Sequence, residues 1–374
     1  MRILAVDVGT GTQDILLFDT EREPENALKM VMPSPTLLVA RAVREATRAG
    51  DSLLLTGATM GGGPSGWAID EHLKAGHRVF STPEAARTLD DDLDKVAERG
   101  VRLVSEDEAT SLHGVRRLRL QDLDYAALSG AFAAFGVDLG DVDLVAVAVF
   151  DHGAAPPGVS DRRFRFEYLA SRLASGLGLC SFAFPREEIP ISMTRLRAAA
   201  CSAPGDRPTL AMDTAPAAVL GALEDPLVRS AKEAVVVNVG NMHTLAFHLR
   251  RNQVLGILEH HTGMLDGTML REMLEELAAG TLSNEQVFAG HGHGALTQEP
   301  APPRASLVAV TGPRRALLAG EPVRLVPGAA PVQPYPAVPY GDMMMAGCWG
   351  LVRAAAHVFA WATEAISGAL GPGA

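Results

Sequence analysis

Cysteine is scarce in this sequence, and its three copies are scattered. Cys180, Cys201 and Cys348 lie far apart, are odd in number and show no Cys-x-x-Cys spacing. Disulfide frameworks and zinc knuckles need paired or clustered cysteines, so this pattern disfavours both. We therefore expect reduced thiols in a cytoplasmic protein.

The sequence also lacks an excess of positive charge and a long apolar run. It carries 33 Lys and Arg against 44 Asp and Glu, for a formal net charge of −11. Because nucleic-acid phosphates require a basic surface, we expect no nucleic-acid partner, and we favour a small-molecule substrate or a protein partner. No apolar run reaches about 18 residues, and a strand pattern begins at residues 2–6 without a signal-peptide pattern. We expect no membrane partner and a cytoplasmic location.

What the sequence does have is an alternation of strand-like apolar runs and amphipathic helical stretches, which is typical of α/β proteins. With 374 residues the chain exceeds one ordinary core, so we expect two lobes. The predicted strands fall near residues 2–6, 14–18, 52–56, 101–104 and 142–150, and the predicted helices near 35–49, 83–98, 162–177 and 342–366. A Pro-rich polar stretch separates an N-terminal lobe, residues 1–190 with an α/β insertion near 50–125, from a C-terminal lobe, residues 208–374.

An approximate internal repeat is the most informative feature. The segment Ala5-Val6-Asp7-Val8-Gly9-Thr10-Gly11-Thr12-Gln13 aligns with Val236-Val237-Asn238-Val239-Gly240-Asn241-Met242-His243-Thr244. In both, a β run meets a polar residue and a glycine, turns through small polar side chains and resumes as a strand. The pattern predicts two hairpins whose tips present backbone N–H groups. Two ordinary hairpins that bind nothing are the alternative.

Each part of such a turn suits a phosphate ligand. Glycine lets the backbone approach an anion closely, and amides and hydroxyls donate hydrogen bonds to phosphate oxygens. A carboxylate at the strand end, here Asp7, can hold Mg²⁺ through water. Two such turns facing each other would clamp a polyphosphate.

Asp7-Val8-Gly9-Thr10 resembles the first phosphate motif, Asp-x-Gly-Thr, of the superfamily of actin-like ATPases, Hsp70 proteins and sugar kinases. The resemblance implies a two-lobed actin-like ATPase fold of ribonuclease H-like topology, with ATP and Mg²⁺ as ligands. Asn238 stands where a second Asp is usual, which weakens metal binding from that side. Val308–Pro313 is placed where the superfamily has its adenosine loop. The residues implied in nucleotide binding are Gly9, Thr10, Gly11, Thr12, Gln13, Asn238, Gly240, Asn241, His243, Thr244 and Gly312.

The chain is also similar to an archaeal and bacterial family of unknown function labelled pyruvate formate-lyase activating enzyme-like. The similar segments are Asp7–Asp14, Asp151-His152-Gly153, Glu259-His260-His261-Thr262-Gly263, Val310–Arg315 and Gly341-Asp342-Met343-Met344. A radical activating enzyme holds an iron–sulfur cluster with three clustered cysteines. Because the cysteines of this sequence have no such spacing, we do not expect that chemistry.

Candidate catalytic residues stand at predicted strand ends, where ligands collect in α/β proteins. Asp151 follows the apolar run 145–150, and its neighbour is His152. The resemblance to sugar kinases implies that Asp151 acts as general base on an acceptor hydroxyl. Asp7 would orient Mg²⁺.

A transition-metal site is an alternative for the histidines and carboxylates, because imidazole and carboxylate suit zinc, iron or manganese. The histidines stand in short polar clusters at His152, His243, His260-His261 and His291–His293, and they could bind the metal together with Asp151 or Asp342. The ligands that we favour are Asp7, His260, His261 and Asp342. Hydrogen-bonding roles for the histidines remain open. His291 and His293, which lie between glycines, indicate a flexible loop, and a ligand role is the alternative.

The segment Gly61–Gly66 follows a predicted strand and formally fits G-x-G-x-x-G. A dinucleotide site, an anion loop at a helix N-terminus and a plain connection all remain open. We interpret the whole sequence as an ATP-dependent phosphotransferase or ATPase that acts on an unidentified small molecule. The alternatives are an ATP-driven switch that activates a partner enzyme, and a metal-dependent group-transfer enzyme.

Overall fold

The structure is a computed structural model that describes residues 1–156, 158–174, 176, 178–251, 253–298 and 304–371. The strands are β1 (Arg2–Val8), β2 (Thr12–Asp19), β3 (Leu28–Pro33), β4 (Ser52–Gly57), β5 (Val79–Ser81), β6 (Val101–Leu103), β7 (Val115–Leu120), β8 (Leu144–Val149), β9 (Ala183–Pro185), β10 (Thr209–Asp213), β11 (Glu233–Val239), β12 (His243–Arg250), β13 (Gln253–His261), β14 (Gly294–Thr297), β15 (Leu307–Thr311) and β16 (Tyr335–Pro336). The helices are α1 (Pro35–Ala49), α2 (Gly63–Lys74), α3 (Pro83–Ala86), α4 (Leu93–Glu98), α5 (Glu106–Ser111), α6 (Tyr125–Ala133), α7 (Asp161–Leu173), α8 (Thr194–Cys201), α9 (Thr214–Ala222), α10 (Pro226–Ser230), α11 (Gly267–Ala279), α12 (Asn284–Ala289), α13 (Ala346–Val358) and α14 (Ala360–Leu370).

The first sheet has the strand order β3-β2-β1-β8-β10-β9. β1 and β2 form an antiparallel hairpin whose register places Asp7 opposite Asp14. β8 and β10 extend the sheet in parallel with β1, so the carboxyl ends of these three strands lie at one edge. β8 is apolar and buried along its whole length, as expected of a parallel strand that is covered on both faces. Asp7 and Asp213 therefore emerge at the same edge.

The second sheet has the order β14-β13-β12-β11-β15-β16. β11 and β12 form an antiparallel hairpin, β13 continues the meander, and β15 pairs in parallel with β11. The first sheet has the same plan in β1, β2, β3 and β8. This unit of an antiparallel meander followed by a parallel strand is ribonuclease H-like, and its duplication gives the two-lobed actin-like ATPase fold. The predicted fold class and both predicted hairpins are confirmed.

A third, parallel sheet of order β6-β5-β4-β7 is inserted between β3 and β8. It carries its own apolar core, which includes Leu53, Leu55, Ile69 and Val96. This sheet and its helices lie between two strands of the first sheet.

Two helices fill the space between the large sheets. α9 and α13 pack on each other, and their apolar residues share one core with residues of both sheets. A Cβ atom on Gly221 would lie 1.6 Å from the Ala346 carbonyl oxygen, and one on Gly350 would lie 1.8 Å from the Ala217 carbonyl oxygen. Only glycine fits at these positions, so the two helices cross in direct backbone contact.

Three sequence-based boundaries need correction. β10 pairs with β8 in the first sheet, so the second lobe does not begin at residue 208. The predicted helix 83–98 is two helices, α3 and α4, because the Asp92 side chain accepts the Asp94 N–H and starts a new helix. The predicted helix 342–366 begins only at Ala346 and is interrupted at Phe359, whose backbone is extended.

Within the described residues, no helix combines the length and the apolar character needed to cross a bilayer.

Candidate functional site

The two repeated hairpins have the same turn. In the first, the Gly9 N–H donates to the Thr12 carbonyl oxygen at 2.9 Å, and in the second the Gly240 N–H donates to the His243 carbonyl oxygen at 3.0 Å. Each hydrogen bond closes a two-residue loop at the carboxyl end of the first strand of its lobe. The sequence repeat is therefore also a repeat of backbone geometry.

The two hairpin tips touch across the cleft between the lobes. A Cβ atom on Gly11 would lie 2.2 Å from Nδ2 of Asn241, so only glycine allows this approach. The cleft behind the tips encloses about 110 Å³. Of the residues predicted to bind nucleotide, those that line it are Gly9, Thr10, Thr12, Asn238, Gly240, Asn241, His243 and Gly312.

Two predicted nucleotide residues are turned away from the cleft. Gln13 Nε2 donates to the Pro33 carbonyl oxygen on β3 at 3.1 Å. Thr244 is buried, and its hydroxyl shares a 2.9 Å hydrogen bond with the Thr262 hydroxyl. Both side chains stabilise the sheets, because the alternation of a strand points them to the face opposite a cleft ligand.

Two buried carboxylates form the floor of the cleft. The Thr214 hydroxyl donates to Asp7, and Gly347 packs so closely that a Cβ atom there would lie 1.8 Å from Asp7 Oδ2. Burial raises the pKa of Asp7 to about 7, and burial together with the Asp7 charge raises the pKa of Asp14 to about 8. Asp14 Oδ1 is buried without a hydrogen-bond partner in the part of the chain that the structure describes. The floor is thus an electrostatically unfavourable pair of acids.

Asn238 and Gly312 lie on the second-lobe side of the same cleft. A Cβ atom on Gly312, whose φ is +96°, would lie 2.5 Å from Asn238 Oδ1. The Gly312 N–H donates to Met343 Sδ at 3.0 Å. The loop after β15 therefore closes against the second hairpin, at the place predicted for an adenosine loop.

A larger cavity of about 880 Å³ adjoins the cleft. The residues that line both spaces are Gly9, Thr10, Phe150, Arg195, Met242 and His243. The acidic segment 90–94 and the glycine loop 61–63 also line the larger cavity. Gly63 is the first residue of α2, so this loop leads from β4 into a helix N-terminus that borders the cavity. The cavity is large enough for a small molecule beside the cleft.

The candidate base Asp151 lies in the wall of the larger cavity but is only 4% exposed. Its two carboxylate oxygens accept backbone N–H groups, from Gly153 at 2.8 Å and from Leu196 at 2.8 Å. Burial raises the pKa of Asp151 to about 6, which leaves it ionised at pH 7. Next to it, Arg195 donates to Asp122 and to the Phe150 carbonyl oxygen.

Histidines from both lobes gather beside Phe150. His243 stacks on the Phe150 ring with centroids 4.2 Å apart, and His152 stacks on His293 at 5.0 Å. His261 lies at the margin, with its ring 4.5 Å from that of His293. His293 lies in a loop, as predicted, and its side chain is only 2% exposed.

The four residues predicted as metal ligands are not brought together. His260 is buried, and its Nδ1 faces the His261 carbonyl oxygen at 3.1 Å. Asp342 accepts the Met344 N–H at 2.9 Å and lies close enough to help raise the pKa of Asp14, after burial and Asp7. Asp7 and Asp342 thus lie toward the cleft floor, and the histidines of the Glu259-His260-His261 segment lie elsewhere. The sequence predicted that His260 and His261 share one site because they are adjacent. On a strand, however, the side chains of adjacent residues point to opposite faces.

A buried ion-pair network underlies the histidines. The Arg165 guanidinium, on α7 of the first lobe, donates to Glu259 on β13 of the second lobe at 2.8 Å and to Asp213 at 2.7 Å. All three side chains are almost completely buried. Although burial opposes ionisation, Arg165 holds the pKa of Glu259 well below its usual range. The network links the lobes directly beneath the cleft.

Sequence reasoning missed Thr214 and the packing of Gly347, and it did not predict that Arg165 pairs with Glu259 and Asp213. The strand-end pair Asp213-Thr214 could have been found by the rule that ligands collect at the carboxyl ends of parallel strands. Gly347 and Arg165 carry no local signal, because their roles depend on contacts with residues far away in the chain.

The fold and the cleft define a two-lobed protein of the actin-like ATPase class. Within that class the chain belongs to the family DUF1786, whose model matches residues 60–317 and whose description proposes a pyruvate format-lyase activating enzyme. The suspected family resemblance is therefore confirmed.

Similar solved structures include the activator of the 2-hydroxyisocaproyl-CoA dehydratase from Clostridium difficile with bound ADPNP, which is 10% identical, with 97% of this chain and 96% of that chain covered and a TM-score of 0.34. A ROK hexokinase from Thermus thermophilus is 14% identical, with 95% and 98% covered and a TM-score of 0.29. The ethanolamine utilization protein EutJ from Carboxydothermus hydrogenoformans is 13% identical, with 94% and 89% covered and a TM-score of 0.27. No functionally curated protein matches the chain. The fold assignment rests on the strand order of the two sheets.

Proposed function

We propose that this protein binds ATP with Mg²⁺ in the cleft between the two hairpins and transfers or hydrolyses the terminal phosphoryl group. The observation that carries the proposal is the pair of equivalent two-residue turns, one in each lobe, whose tips meet at Gly11 and Asn241. Turns of this kind present backbone N–H groups to an anion, and two of them can hold adjacent phosphates.

The chain's own groups would divide the work as follows. Gly9 and Gly240 allow the backbone to approach the phosphates, and the hydroxyls of Thr10 and Thr12 donate hydrogen bonds to phosphate oxygens. Thr10 and Thr12 line the cleft. The loop after β15, with Gly312, would bound the nucleoside.

Asp7 and Asp14 fit a divalent cation. Their raised pKa values record the cost of placing two carboxylates in one buried site, and Asp14 Oδ1 has no partner among the residues described. Mg²⁺ would bind through these oxygens and would supply charge neutralisation for the phosphates. Asn238, being uncharged, would contribute an amide only.

The adjoining cavity of about 880 Å³ would hold the acceptor. Asp151 is the candidate base, because it lies in the wall of this cavity and is ionised at pH 7. A small polar molecule that reaches both Asp151 and the hairpin tips would receive the phosphoryl group.

One observation favours a second function, an ATP-driven switch. Both oxygens of Asp151 already accept backbone N–H groups, which lowers the capacity of the carboxylate to take a proton from an acceptor. In that case the closure of the lobes on ATP, about the α9–α13 crossing, would alter the affinity for a partner protein.

Calorimetric titration of MgATP and MgADP into the purified chain tests the nucleotide proposal. We expect micromolar binding in the wild type and at least a tenfold loss in Asp7→Asn, because a charged oxygen beneath the phosphates is removed. Asp206→Asn, at an exposed turn residue, is the matched control and should bind as the wild type does. No heat of binding in the wild type would sink the proposal.

Turnover separates the two functions. In the phosphotransferase, Asp151→Asn abolishes phosphate release or transfer and leaves the MgATP affinity unchanged. In the switch, the same variant retains the slow wild-type rate of hydrolysis.

A further inference from the structure

Three imidazoles converge at the boundary between the lobes. His152 follows β8 of the first lobe, His243 begins β12 of the second lobe, and His293 directly precedes β14. One ring nitrogen from each lies within 4.8 Å of the other two. Because the three nitrogens are already near one another, small rotations of the side chains would let all three bind a single ion at the usual metal–nitrogen distance of about 2.0–2.1 Å.

His293 is held in the orientation that a metal ligand requires. Its Nδ1 lies 2.6 Å from Oε1 of Glu259, and Glu259 is itself fixed by Arg165. Both ring nitrogens of His293 are buried, and neither makes a hydrogen bond within the described ranges, so Nε2 has no protein partner that an ion would have to displace. A metal-bound histidine commonly turns its other ring nitrogen toward a carboxylate.

We infer that His152, His243 and His293 bind a divalent transition metal such as zinc. Three nitrogen ligands favour zinc, cobalt or ferrous iron over Mg²⁺, which prefers oxygen. His152 and His243 also line the 880 Å³ cavity, so the remaining coordination position faces the space assigned to the acceptor. Three protein ligands and one open position are the arrangement of catalytic rather than structural zinc sites.

This metal site does not depend on nucleotide binding. The ligand set differs from the residues Asp7, His260, His261 and Asp342 that the sequence suggests, and its members come from both lobes. An ion here would lie between the two spaces, because His243 lines the phosphate cleft and His152 lines the larger cavity. It could polarise a substrate oxygen beside the phosphates.

Cobalt is the probe for the test, because tetrahedral Co²⁺ bound by imidazole absorbs visible light. The untagged chain is stripped with a chelator, titrated with Co²⁺ in the absence of nucleotide, and then challenged with Zn²⁺, with metal content measured by mass spectrometry. We expect one ion per chain, a visible absorption band that Zn²⁺ abolishes, and at least about a tenfold loss of affinity in His293→Ala and in His152→Gln. The matched control, His113→Ala, changes an exposed histidine of the insertion and should bind as the wild type does.

Wild-type protein that binds less than a stoichiometric amount of Co²⁺ and Zn²⁺, or variants that keep the wild-type spectrum, would overturn the inference. If His293→Ala does not fold, the metal stoichiometry of the wild type and the metal affinity of His152→Gln still test the inference. MgATP titration of His152→Gln separates this result from the nucleotide proposal, because that variant leaves both hairpin turns intact.

Discussion

Asp7 and Asp14 face each other across the first hairpin, and both are buried. The raised pKa values mean that the folded chain binds protons more tightly than the unfolded chain, whose aspartates titrate near about 3.9. The two carboxyls therefore favour folding at low pH, and this contribution is lost as the pH rises through about 7 and 8. The protein therefore holds a destabilised pair of acids at the place where the proposed function requires a cation.

Asp14→Asn should accordingly stabilise the metal-free protein. At pH 8 we expect its free energy of unfolding to exceed that of the wild type by on the order of 2 kcal/mol, and at pH 4 the difference should vanish. Urea unfolding of both proteins across this pH range, in the presence of a chelator, measures the difference. Added Mg²⁺ should stabilise the wild type more than the variant. An Asp14→Asn curve that follows that of the Asp206→Asn control at every pH would show that the buried acid pair does not destabilise the fold.

At the scale of elements, Arg165 joins α7 to β13 and to the start of α9 through Glu259 and Asp213. We expect Arg165→Met to lower the free energy of unfolding by about 3–5 kcal/mol, because two buried carboxylates lose their counter-charge. Arg163→Met is the matched control on the same helix. Its exposed pair with Glu167 should contribute no more than about 0.5 kcal/mol. Equal effects of the two substitutions, measured by urea unfolding, would show that the network does not couple the lobes.

Elements whose signal is local could be predicted from the sequence. α1 runs from Pro35 to Ala49 as predicted, because proline marks its first turn and Gly50, at φ +73°, ends it. Both hairpins were predicted because each repeat carries its glycine and polar turn residues within a few positions. By contrast, the break between α3 and α4 depends on a single aspartate cap, and similar aspartates occur on either side of it.

At the scale of the whole molecule, the sequence could not reveal which residues meet. The boundary at residue 208 was misplaced because β10 reads as the start of a new α/β unit, although its partner is β8, more than fifty residues earlier. The sequence likewise did not show that His152, His243 and His293 form one cluster, because they belong to three separate segments. The lobe boundary and the histidine cluster both depend on contacts between segments that are far apart in the chain. Composition and periodicity within a short window do not predict such contacts.

The two-lobed arrangement is what would make the cleft a phosphate clamp. The hairpins belong to different lobes, and their contact at Gly11 and Asn241 would close the proposed phosphate site. The crossing of α9 and α13 is the element about which the lobes would move, because it contacts both large sheets.

Amide hydrogen exchange with and without MgATP tests this central claim most directly. If both lobes hold the phosphates, the amides of residues 9–12 and of residues 240–243 should both exchange more slowly when nucleotide saturates the protein. Protection of only one turn would contradict a clamp formed by the two hairpins. Slower exchange confined to the loop at residues 61–63, with neither turn protected, would contradict it as well.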